Sequence, residues 1–167
     1  MLARLRSLTL PALLTGLMFA PMLAGPPWIS IEYPVNPHDR SMQGAMLLVH
    51  VFHHATPMNY PVTGTAEGIV NGERKTSKLR FTDTARTGVY GLSRQWGEEG
   101  VWTLVIRMTR GGEDGATAVV ELGPSGEVAS VRVPTRRDGS WTVPTDVSMS
   151  DVDRDLRARA SALASRR

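Results

Sequence analysis

Apolar residues in this chain recur mainly at every second position, in short runs cut by glycine, proline and asparagine. That period places alternate side chains on opposite faces of a β-strand. Residues 28–33 (Trp-Ile-Ser-Ile-Glu-Tyr) alternate until Pro34 and Pro37 break the run, which predicts a first strand at a sheet edge. Residues 45–54 are nearly continuous in apolar side chains between Gly44 and Pro57, the mark of a central strand buried on both faces. A weaker strand at 61–70 contains Gly64 and Gly68 and runs into Asn71-Gly72, whose residues accept the positive φ of a two-residue hairpin turn; the return strand falls at 75–81. Strands at 87–96 and 101–108 flank Gly97-Glu98-Glu99-Gly100 and predict a second hairpin, with Trp102, Leu104, Ile106 and Met108 on one face. Two more strands follow at 116–122, with Ala118, Val120 and Leu122 on one face, and at 128–133 beyond the turn Gly123-Pro124-Ser125-Gly126. These strands, each with one apolar face to bury, predict an all-β fold: an immunoglobulin-like antiparallel β-sandwich of about 7–8 strands.

The two ends of the chain follow other patterns. Met1 to Arg6 is a short basic head, and residues 7–31 carry no charge, with a leucine-rich part at 8–24. This order predicts a secretory signal peptide over 1–24, cut after Ala24, and so an exported, periplasmic or extracellular protein with no membrane span once the signal is removed. An uncleaved anchor is the rival reading, but Pro11, Gly16 and Pro21 interrupt the stretch. Residues 150–167 predict a C-terminal α-helix behind the 25–149 sandwich. Ser150 to Asp153 resembles a capping box with Met149 as its staple, aspartates fill the first turns and arginines the end, and Val152, Leu156, Ala160 and Leu163 form an apolar stripe. So thin a stripe leaves loose packing, order on a partner and a fixed position all open.

Charge changes the picture only by where it lies. The 167 residues carry a net charge of +3, yet residues 25–149 hold twelve basic and thirteen acidic side chains. A neutral body lacks the concentrated lysines and arginines that phosphate requires, so nucleic-acid binding is excluded. The chain has no cysteine, which removes disulfides, thiolate metal sites and a lipid-modified N-terminus together.

Three runs carry a family likeness: Tyr60-Pro61-Val62-Thr63-Gly64-Thr65-Ala66, then Thr87-Gly88-Val89-Tyr90, then Glu99-Gly100-Val101-Trp102-Thr103-Leu104-Val105-Ile106. Together they resemble the exported YtkA-like and FixH-like domains and, more loosely, the carboxypeptidase-regulatory and transthyretin-type sandwiches, over roughly residues 43–110. The resemblance implies an accessory or binding module rather than an enzyme. Without it, Tyr90 is expected to bury its ring and tie a loop to a strand end through its hydroxyl, Leu92 to follow it into the core, and Trp102, Leu104 and Ile106 to fill the space between sheets.

Candidate chemistry is sparse. His38, His50, His53 and His54 with Met58 and the nearby Met42 and Met46 offer imidazole and thioether ligands that would suit copper. A regular strand, at about 3.3 Å per residue, would hold His50 and His54 about 13 Å apart on one face and turn His53 to the other. A bend near 55–57 is needed to bring His53 or His54 toward Met58. The plainer reading makes His50 a satisfied core histidine and His53-His54 the strand's exit to solvent. Ser93 and Ser125 lack a nucleophile-elbow setting, Glu98-Glu99 and Arg136-Arg137 read as loop charges, and no glycine loop opens a helix to cradle phosphate. The sequence therefore predicts no enzyme and no cofactor, but an exported module for an envelope or extracellular protein partner, with periplasmic copper binding through 38–58 as the alternative.

Overall fold

A computed structural model describes residues 25–112 and 114–165; the expected signal peptide at 1–24 and the terminal Arg166 and Arg167 lie outside the described residues. Among the described residues, twelve strands and one long helix follow in chain order: β1 (Trp28–Glu32), β2 (Leu47–His53), β3 (Thr56–Pro57), β4 (Val62–Val70), β5 (Glu73–Lys78), β6 (Thr82–Asp83), β7 (Val89–Leu92), β8 (Val101–Gly111), β9 (Asp114–Leu122), β10 (Val128–Arg132), β11 (Thr135–Asp138), β12 (Trp141–Pro144) and α1 (Met149–Ala164), with a 3-10 turn at Arg40–Met42. One antiparallel sheet has the order β1-β2-β7-β6, with β3 added to β2; the other runs β10-β9-β8-β4-β5. The chain is thus an all-β, sandwich-like fold with one C-terminal helix, as the period-two pattern predicts.

Alternation decides what goes inside. Ile29, Leu47, Val49, Val51 and Leu92 from the first sheet meet Ala66, Leu104, Ile106, Met108, Ala118 and Val120 from the second, all of them sealed from solvent. The continuous apolar run at 45–54 has a use for its other face: Leu48 joins Val89 and Met42 in a separate cluster beneath the segment that carries Val35 and Ala45. Asn71 (φ 50°) and Gly72 (φ 81°) form the left-handed turn expected between β4 and β5. Gly68, directly opposite Trp102, is needed by that side chain. A Cβ on Gly68 would stand 2.5 Å from the indole ring, so the missing side chain lets the tryptophan lie against the strand.

Three expectations are corrected. Residues 87–96 and 101–108 are not a hairpin: β7 pairs with β2 and β6 in the first sheet, whereas β8 pairs with β4 and β9 in the second. The 93–100 segment carries the chain across the sandwich with Trp96 buried beneath it. Two amphipathic strands joined by a glycine-bounded turn look alike in sequence whether they pair side by side or face each other across a core. Arg136 and Arg137 are not in a loop; they lie on β11, which pairs with β12 around Gly139 (φ 58°) as a separate two-stranded ribbon. Its charged and polar composition hid it from a search for apolar alternation.

The third correction concerns the helix. It begins at Met149 behind Ser148, whose side chain bonds Ser150 rather than the helix backbone, and Met149 is exposed rather than stapled. Arginines do not end the described helix; its last turn contains no basic residue. Its position on the outer face of the second sheet is nonetheless fixed. Val152 and Leu156 are fully buried against Val101, with Ile69, Val105, Ala160 and Leu163 around them.

Candidate binding groove

The strand β5 covers only part of its neighbour. Its register along β4 runs from Val70↔Glu73 to Thr65↔Lys78, and one further bond, Leu79 N–H to the Gly64 carbonyl at 2.9 Å, ends the pairing. Backbone groups of alternate residues point to the same strand edge. Because Gly64 points its carbonyl at β5, Val62 points its own N–H and C=O the same way, and no strand of the described residues lies there. Past Leu79 the chain leaves the second sheet and crosses to β6 in the first, with Leu79 and Phe81 folded over the bare Cα of Gly64.

The crossing leaves a groove of about 900 Å³ over this open half of β4. Val62, Leu79, Phe81, Val89 and Val105 supply apolar walls. Tyr90 closes one side: its hydroxyl donates to the Tyr60 carbonyl at 2.8 Å, which ties the entry of β4 to β7. Burial, and then the nearby Asp83 carboxylate, push the Tyr90 phenol above its ordinary value, because both disfavour a phenolate there. Lys78, Arg86 and Arg107 bring positive charge to the lining against the single carboxylate of Asp83. Arg107 is paired with Asp146, but among the described residues neither Lys78 nor Arg86 has a carboxylate partner.

The other core residues expected from sequence lie in the interior: Leu92, Leu104 and Ile106 are fully buried, and Trp102 is 8% exposed with its indole N–H donated to the Glu99 carbonyl at 2.7 Å. Glu98 and Glu99 themselves are exposed.

The histidines are divided among different settings. His50 is half-buried on the outer face of the first sheet, its Nε2 2.7 Å from Glu32 Oε2 and its ring parallel to that of Phe52. It is therefore satisfied by a carboxylate but is not in the core. His38 is exposed and donates its backbone N–H to Asn36 Oδ1. The strand ends at His53; His54 (φ 54°) and Ala55 (φ 61°) form a left-handed two-residue turn into β3. That turn abolishes strand alternation one residue earlier than expected and brings the His53 and His54 rings to 4.1 Å between centroids. His53 Nε2 lies 2.9 Å from an Arg110 nitrogen, which occupies the face a cation would approach. The backbone of Met58 bonds Val51, half-buried beside Gly88. Among the described residues, no three His, Asp or Glu side chains are grouped closely enough to hold a metal ion.

Sequence reading missed a polar network beneath the helix. Glu67, 3% exposed, accepts from Arg74 at 2.8 Å and from the Thr76 hydroxyl at 2.7 Å. Arg74 continues to Asp153 on α1 at 3.0 Å, and Arg157 completes the chain at 2.8 Å. The hydrogen bond from Arg157, opposed by partial desolvation and helped by Arg74, holds the Asp153 carboxyl below its ordinary value. Further along, Arg159 reaches past the helix to the Leu122 carbonyl at 3.2 Å and to Thr103, and burial lowers its guanidinium from the usual value. The one available signal was Glu67 itself, a carboxylate between Ala66 and Gly68 in an otherwise small-residue strand, which demands a cation. No family model, curated protein or solved structure matches the chain.

Proposed function

We propose that this chain is an exported, non-enzymatic β-sandwich module that binds an envelope or extracellular protein partner, and that the groove over β4 is where the partner sits. The basic head and uncharged leucine-rich stretch support export. The observation that carries the binding reading is the groove itself, about 900 Å³ walled by both sheets, with apolar side chains interleaved with polar and charged ones. Concave sites of that size and make-up are the usual places for ligands. The non-enzymatic reading is supported by the want of a nucleophile-elbow serine or a phosphate-cradling glycine loop in the sequence.

A photo-crosslinking amino acid placed at Thr63, on the groove, and in a separate variant at Ser130, on the far edge strand β10, tests the assignment in cells that make the protein. A discrete crosslinked species from position 63 alone is expected. No crosslink at 63, or the same pattern from 130, overturns it.

A further inference from the structure

From the same groove, and resting on that binding reading, we infer the form of the ligand: an extended, acidic segment of a partner polypeptide that adds as a short strand to the open edge of β4. Val62 presents an N–H and a C=O to an edge that β5 does not reach, one step beyond the Leu79–Gly64 bond that ends the existing ladder. Uncovered strand edges template the pairing of another extended chain. In such recognition main-chain bonds supply affinity, and pockets for alternate side chains supply selectivity. Tyr60, the next residue in that alternation, is already engaged, its N–H donated to the Met58 carbonyl and its own carbonyl accepting from the Tyr90 hydroxyl, which limits the opening to a short stretch.

The side chains set the rest. Alternation would send every second residue of an added strand toward the apolar walls made by Leu79, Phe81 and Val62, and the intervening ones toward solvent at the rim. Lys78 lies at the end of β5 and Arg86 just before β7, both exposed and both without a carboxylate partner among the described residues. These two cations outnumber Asp83, the single carboxylate of the lining, while the charge of Arg107 is offset by Asp146. A segment alternating apolar and acidic residues satisfies the backbone edge, the apolar walls and the cationic rim at once. A basic segment would meet like charge, which selects against it.

The probe is a blocked ten-residue peptide of alternating valine and glutamate, titrated into the isotopically labelled protein at low salt and followed through backbone amide resonances. Saturable shifts at Val62 and Gly64 and around 78–90 are expected, with slowed hydrogen exchange at the Val62 amide. Replacing both cations (Lys78→Glu with Arg86→Glu) should weaken binding about tenfold, as two exposed charge contacts of somewhat under 1 kcal/mol each imply. Because both side chains are exposed, the variant's thermal midpoint should match the parent's. A valine-lysine peptide should bind at least as weakly. Three results overturn the inference: unmoved Val62 and Gly64 amides, equal binding of the lysine peptide, or the same shifts from glutamate monomer or inorganic phosphate, which would mark a simple anion site. A crosslink at Thr63 that persists alongside any of these would leave the partner reading standing and discard only the acidic strand.

Discussion

At the scale of single residues, the fold depends on a few side chains whose size is fixed by what stands opposite. Gly68 and Trp102 are the clearest pair, cross-strand neighbours in which the space vacated by one is filled by the ring of the other. Gly68→Ala should lower stability by about 1–3 kcal/mol, the usual cost of overpacking a filled core, because a Cβ cannot coexist with indole carbons 2.5–2.7 Å away. Denaturant melts of the variant check this, and an unchanged midpoint would show that the ring moves freely. The expected interior places of Leu92, Trp102, Leu104 and Ile106 were legible because apolar alternation marks a face. The strand's exit at His53-His54 was legible as well, but the left-handed turn at His54-Ala55 that brings the two rings together was not, since neither residue demands a positive φ.

At the scale of elements, α1 shows how charge can fix what a thin apolar stripe leaves undecided. Two buried aliphatic residues, Val152 and Leu156, give the helix its adhesion, and the relay Glu67–Arg74–Asp153–Arg157 sets its angle and register on the sheet. The stripe was readable from the sequence; the relay was not, since Arg74 and Asp153 are far apart in the chain and nothing local joins them. The relay has a pH signature. A carboxyl whose folded pKa lies below its unfolded value of 3.8 adds stability that is present above 3.8 and is lost as pH falls through the folded value. Hydrogen exchange of α1 amides, measured relative to those of β8, should therefore rise on acidification below that range. Asp153→Asn should flatten this part of the pH dependence. If the parent and the Asn variant respond alike to acid, the relay does not hold the helix.

At the scale of the whole molecule, sandwich and helix share one cooperative structure. The outer face of the second sheet carries Val101, Ile69 and Val105 under α1, and Glu67 beneath the same cover. Removing residues 149–167 should cost the sandwich about 3–6 kcal/mol, from two fully buried aliphatic side chains at about 1.5–3 kcal/mol each, and should move its urea transition to a lower concentration. A truncated chain that melts with the parent's midpoint would show the helix to be a passenger. The architecture as a whole was legible because period two leaves few alternatives to paired sheets. Strand partnership was not: the pattern says that β7 and β8 each have a greasy side, and only their partners, β2 and β6 for one and β4 and β9 for the other, show that those sides face each other.

That crossing also governs when the fold can form. The centre of the first sheet is complete only when Leu47 has found Leu92, and the hairpin made between them in time, β4 with β5, belongs to the opposite layer. Neither layer can close from consecutive strands, so the loop entropy of bringing distant segments together is spent before any core repays it. A growing chain that stops short of β7 holds β2 with one flank bare.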